Sequence, residues 1–189
     1  MTAKEILLDL LDDFTGALHW VIKNLSTAAL SWRPDDEANS IGVTVWHICR
    51  SLDVLTTRVL QNRTFTEEIW HTGGWAQKTG YDPHGIGFAG WGTLARFTRA
   101  EVDAIPVLSA DELLTYFEQT VAGLRAHLNT MPLKDLYQPP TGWPDPTQSA
   151  YQPETAYRAI RGILMDTREH LGEIKALKAM WERKQGRSL

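Results

Sequence analysis

The chain has 189 residues, 43% of them hydrophobic and 22% charged, and carries a formal net charge of −4 at pH 7. That length suits one domain with a sizeable core, and the composition is that of a folded rather than a disordered chain. The acidic balance argues against nucleic acid as a partner, since phosphate binding needs a basic surface, and there is no apolar run of about 18 residues to span a membrane.

The first predicted helix opens at Thr2 and Glu5, the pattern of a capping box. Ile6, Leu10, Phe14, Ala17, Val21 and Leu25 then recur at helical spacing, and Pro34 with the polar run to Asn39 ends the element. Asn39 or Ser40 caps a second helix whose stripe is Ile41, Val45, Ile48, Leu52, Leu55 and Val59. Ser109 and Glu112 form another capping box, opening a third helix with Leu113, Phe117, Val121, Leu124 and Leu128 inward, and Pro132 stops it. The fourth starts near Pro153 and runs to about Lys184.

Four helical stripes without an alternating strand predict an all-α protein, a four-helix bundle in one domain over 1–189. Helices one and two are joined by a short link, whereas a segment at about 61–108 separates helices two and three and permits a long crossover connection. Seven of the fourteen glycines fall between Gly73 and Gly92 in that insertion, together with Trp70, Trp75, Tyr81 and Trp91. Two readings fit it: a lid over a functional face, or an irregular loop pinned to the bundle by its aromatics. Gly85-Ile86-Gly87-Phe88-Ala89-Gly90 matches the dinucleotide-binding fingerprint literally, but no strand precedes it, so we set it aside. His71 and His84 read as surface polar residues, and Cys49 as a packed thiol.

The fourth stripe reads Ala159, Ile163, Asp166, His170, Ile174, Leu177 and Trp181. Two ionisable residues therefore stand in line with the core, where an unpartnered charge is strongly unfavourable. Four residues apart, Asp166 and His170 project from one face, as two metal ligands on one helix do. His47, midway along helix two, is the natural third ligand, and such a set leaves positions open for water or substrate. The spacing alone equally allows a hydrogen-bonded core histidine, or Asp166 paired with Arg50, Arg161 or Arg168. Glu173 reads either as a group orienting His170 or as a solvated helix residue.

Ser31-Trp32-Arg33-Pro34, Asn39-Ser40-Ile41-Gly42, Trp46-His47-Ile48 and His170-Leu171-Gly172-Glu173-Ile174 together resemble the motifs of the DinB-like (YfiT-like) metalloenzyme family, a damage-inducible bundle family. The family's usual metal set is one histidine on helix two and a His-x-x-x-His pair on helix four. His47 and His170 match it; Asp166 stands where the first histidine of the pair is usual. The resemblance implies a divalent metal (Zn, Ni, Mn or Fe) held by His47, Asp166 and His170, with the carboxylate giving the site a harder character. It further implies a homodimer and a metal-dependent enzyme activating a low-molecular-weight thiol or water for S-transfer or hydrolysis of a small molecule. The alternatives are a non-catalytic ligand-binding or stress-response protein, or a structural dimer with a remnant site. The opening Met-Thr-Ala-Lys-Glu lacks a signal-peptide pattern and Cys49 has no disulfide partner in the chain, so a cytoplasmic location is expected.

Overall fold

The computed structural model describes every residue except Asp145, Ala150 and 187–189, so the end of the expected 1–189 domain lies outside the described residues. The described residues hold eight α-helices and no strand: α1 (Ala3–Ile22), α2 (Thr27–Ser31), α3 (Ile41–Val54), α4 (Ile69–Thr72), α5 (Trp75–Thr79), α6 (Arg99–Asp103), α7 (Ala110–Thr130) and α8 (Ala156–Lys184). No helix among them is long and apolar enough to cross a membrane.

The predicted caps set the helix starts. Thr2 and Glu5 cap α1 reciprocally, and Ser109 and Glu112 do the same for α7, each pair satisfying two free backbone N–H groups. Ser40, rather than Asn39, caps α3 by accepting from the Val43 N–H, and Thr155 caps α8. The first helix is shorter than its stripe suggested: it stops at Ile22, and Ser26 caps the separate α2. Its inward face is also one residue out of phase with the expectation, because Leu7, Leu11, Phe14 and Leu18 are buried while Ile6 and Leu10 are exposed.

The long helices share one core, with α1 and α3 each packing against both α7 and α8. Every stripe residue predicted for α3 and α7 is buried. Beyond Val54 the α3 backbone widens into a π-helical turn, Leu55–Leu60, in which the Gln61 N–H donates to the Thr56 carbonyl. Such turns are rare and concentrate at functional sites. The widened end meets Gly142, whose N–H donates to the Val59 carbonyl at 3.1 Å; a Cβ there would collide with the Arg58 carbonyl. The segment between α7 and α8 is thereby docked against α3.

The stretch between α3 and α7 is anchored by charge as well as by apolar contact. Asp53, wholly buried on α3, accepts from the backbone N–H groups of Ile69 and Trp70 at 2.8 and 2.9 Å and so caps α4 from a distance. Arg50, one turn earlier, bonds Asp53 and Glu68 and also donates to the carbonyls of Trp91 (3.1 Å) and Gly92 (3.2 Å). Trp70 and Trp75 are buried in the core beside Tyr116, and the Trp70 indole donates to the Tyr81 carbonyl. These aromatics pin the segment to the helices, and only Trp91 of the four reaches the cavity described below.

Candidate metal centre

The packing of α3 on α8 brings His47 against Asp166 and His170. One Asp166 carboxylate oxygen lies 3.7 Å from His47 Nε2 and 3.6 Å from His170 Nε2. The two imidazole rings stand edge to face with centroids 4.8 Å apart. The sequence placed Asp166 and His170 on an apolar stripe and His47 beside one; the structure puts Asp166 and His170 at the border of the core, half-buried, with Leu164, Thr167 and Leu171 supplying the buried face of α8.

Each histidine has its other nitrogen occupied. His47 Nδ1–H donates to the Thr93 carbonyl, with the Ser51 hydroxyl 3.5 Å away. His170 Nδ1 is 2.9 Å from a Glu173 carboxylate oxygen. Both bonds leave Nε2 as the ring atom facing Asp166, the outer-sphere support by which proteins aim imidazole at a metal. Glu173, though 40% exposed, thus makes the contact that the orienting reading of this residue requires.

The electrostatics favour an ionised carboxylate. The nearby His47 ring holds the Asp166 carboxyl below its usual range; burial pushes the other way, and the charge of His170 adds to the lowering. His170 is raised chiefly by its bond to Glu173, against burial and with help from Asp166. No arginine pairs with Asp166 among the described residues: Arg50 is committed to Asp53 and Glu68, and Arg161 and Arg168 are exposed.

The donor set fits a divalent cation. The carboxylate oxygen is 3.7 and 3.6 Å from the two imidazole nitrogens, within the roughly 3–4 Å that separates ligands about 2.1 Å from a common ion, and all three donors lie within 4.8 Å of one another. The nitrogen–oxygen mixture suits borderline ions and leaves coordination positions open.

A cavity of about 680 Å³ begins at this cluster, with His47 and Asp166 in its wall. Leu55 and Val59 of the π-helical turn line it, as do Phe88, Trp91 and Trp143. Trp143 and the Thr93 carbonyl escaped the sequence reading, since neither belongs to a periodic element and a backbone oxygen carries no sequence signature. His71 and His84 take no part: His84 stacks on Phe65 at 3.6 Å, while His71 meets the edge of Phe65 and lies 3.5 Å from Asp82. Cys49 is fully buried. The fingerprint-like glycines form a turn in which the Gly85 N–H donates to the Gly90 carbonyl.

A sequence model described as the DinB superfamily matches residues 10–174. No curated protein matches the chain. Among solved structures, a conserved protein from Enterococcus faecalis is similar in fold, with a TM-score of 0.70 at 17% identity over 94% of this chain and 96% of that one.

Proposed function

Because the chain belongs to the DinB superfamily, we propose that it is a metal-dependent protein whose His47, Asp166 and His170 hold one divalent cation at the mouth of a small-molecule cavity. The observation that carries this reading is the pair of imidazoles with Nδ1 already bonded and Nε2 aimed at one carboxylate. Zn, Ni, Mn or Fe suits the donor set, Asp166 favouring the harder ions relative to an all-histidine site. We read the long helices as a four-helix bundle with a long crossover between α3 and α7, the architecture in which facing helices supply such core ligands.

A divalent cation bound there would supply Lewis-acid chemistry, acidifying a low-molecular-weight thiol or a water for S-transfer or hydrolysis. The chain's own residues do the rest. Thr93 and Glu173 fix the two rings, Asp166 supplies negative charge, and the apolar cavity wall keeps bulk water from the reacting atoms.

The cytoplasmic, homodimeric state is part of the same proposal. Seven of the eight tryptophans are buried or half-buried, so exposed aromatics supply less apolar surface than their number suggests. What remains on α1 is Trp20, 71% exposed, with Ile6 and Leu10, and this face supports self-association.

The test is elemental analysis of protein purified without a polyhistidine tag, alongside His47→Ala and His170→Ala. About one divalent ion per wild-type chain and loss in both variants is the expected result. Full retention in either variant removes the assignment.

A further inference from the structure

We infer that the cavity beside the metal cluster takes an uncharged molecule with a flat aromatic body, seated against Phe88, Trp91 and Trp143. As a substrate assignment it rests on the metal reading above, with the polar end of the molecule toward His47 and Asp166.

The shape of the wall carries the inference. The Trp91 ring stands at 86° to Phe88, with centroids 5.5 Å apart, and at 90° to Trp143 at 5.3 Å. Trp91 edge-to-face with each of the other two rings makes a corner offering both faces and edges, so a planar π-system gains offset-stacked and T-shaped contacts that a saturated body of equal area does not. The corner is braced. The Phe88 N–H donates to the Ala95 carbonyl, Arg50 holds the Trp91 carbonyl, and the Trp143 indole donates to the Tyr151 carbonyl. A pre-formed wall costs little ordering on binding, and about 680 Å³ is ample for a two-ring body with a polar substituent.

Charge narrows the class. Away from the metal cluster the charged side chains in the cavity wall are Glu37 and Arg99. The Arg99 guanidinium is committed, with Nε and Nη2 on the Asp103 carboxylate at 3.1 and 2.8 Å and Nη1 facing the carbonyls of Asp36, Glu37 and Ala38. Among the residues that line the cavity, then, no free cation at that end meets an anionic tail, and Glu37 repels one; the Arg96 guanidinium, 5.2 Å from the Phe88 ring centroid, is not part of that lining.

The test titrates three probes into the full chain by calorimetry, as purified and again after EDTA: 2-naphthol, decahydro-2-naphthol and 6-hydroxy-2-naphthalenesulfonate. 2-Naphthol should bind about two- to tenfold more tightly than its saturated counterpart, the range that ring–ring contact supplies beyond buried area. The sulfonate should bind more weakly than 2-naphthol. Trp143→Leu keeps an apolar contact but removes a ring, and should abolish most of the aromatic preference with unchanged circular dichroism; Phe88→Leu serves if Trp143→Leu fails to fold. Equal affinity for the aromatic and saturated probes, a sulfonate that binds as well as 2-naphthol, or a preference that survives the variant overturns the inference. Metal content is measured on the same samples. Metal retained without the probe ranking removes this inference alone, whereas the ranking without metal removes the metal reading and leaves the cavity assignment standing.

Discussion

Replacing Arg50 with methionine should be among the most damaging single changes in the chain, because two buried carboxylates depend on this side chain. Its Nη2 donates to Glu68 at 2.8 Å and its Nη1 to Asp53 at 3.2 Å, and all three residues are almost fully buried. Asp53 would keep the N–H groups of Ile69 and Trp70 and the Tyr116 hydroxyl at 2.9 Å. Glu68 would keep only Arg58, 3.9 Å away, and its Oε1 already has no hydrogen-bond partner in the described structure. Removing one partner of a buried ion pair costs about 3–5 kcal/mol, which for a chain of this size lowers Tm by roughly 10 °C. Burial already raises the Glu68 pKa even with Arg50 beside it. A carboxyl raised in the folded state destabilises that state in its charged form, so the defect should be largest above neutrality and shrink as pH falls and Glu68 takes up a proton. Urea titrations followed by circular dichroism at pH 8 and pH 5 read both quantities. Adding Glu68→Gln should recover part of the loss, a non-additivity that marks direct coupling. A loss below about 1 kcal/mol, or one independent of pH, would refute the argument that the Arg50 charge is what holds this cluster together.

Asp166→His should retain a divalent ion and move preference toward Zn²⁺ or Ni²⁺, measured by competitive metal titration; unchanged affinity for every ion would mean that Asp166 does not touch the metal. The Glu112 carboxyl is lowered to about 2 by its bonds to Lys78 and to the Ser109 backbone and hydroxyl. Being depressed in the folded state, it contributes stability above its ordinary pKa of about 4.5 that is lost as pH falls toward about 2, so Glu112→Gln should flatten that limb of a Tm-against-pH curve. Light scattering at micromolar concentration should give twice the chain mass, and Leu10→Glu with Trp20→Glu should reduce it toward one chain if the exposed α1 face is the contact; a monomeric wild type removes the dimer.

The parts of the fold legible in the sequence are those where one periodic pattern had no rival. On α3 and α7 a single apolar stripe is flanked by good caps, and every stripe residue is buried. On α1 the sequence offers Ile6-Leu7-Leu8 and Leu10-Leu11, so two stripes one residue apart both satisfy helical spacing. Burial chose Leu7 and Leu11, and nothing local could have chosen between them. On α8 the spacing of Asp166 and His170 was readable, but their half-buried position at the border of the core depends on Leu164 and Leu171 taking the core side. The lid reading of the glycine-rich segment fared differently for each residue. Trp70 and Trp75 were consumed by the core around Tyr116, while Trp91 faces the cavity. Large aromatics serve either purpose, and composition does not distinguish them.

What the sequence conceals most completely is the backbone link between His47, a candidate metal ligand, and the cavity wall. His47 and Arg50 sit three residues apart on α3, so they project from neighbouring positions one turn apart. Between them they hold three consecutive carbonyls: Arg50 takes those of Trp91 and Gly92, and His47 takes that of Thr93. This short strap must run tight against its surroundings. Gly92 has φ +64 and its missing Cβ would collide with Pro83, which explains a glycine there on both conformational and steric grounds. The same three residues therefore place Trp91 in the cavity wall and fix the tautomer and aim of the His47 imidazole. A molecule that displaces the Trp91 backbone would disturb the bond from the buried Arg50 to its carbonyl, two residues from the Thr93 carbonyl on which His47 is oriented. The Trp91 side of the cavity and the orientation of His47 thus share one segment of backbone, held by hydrogen bonds whose acceptors are peptide oxygens and whose donors sit on a single helical turn.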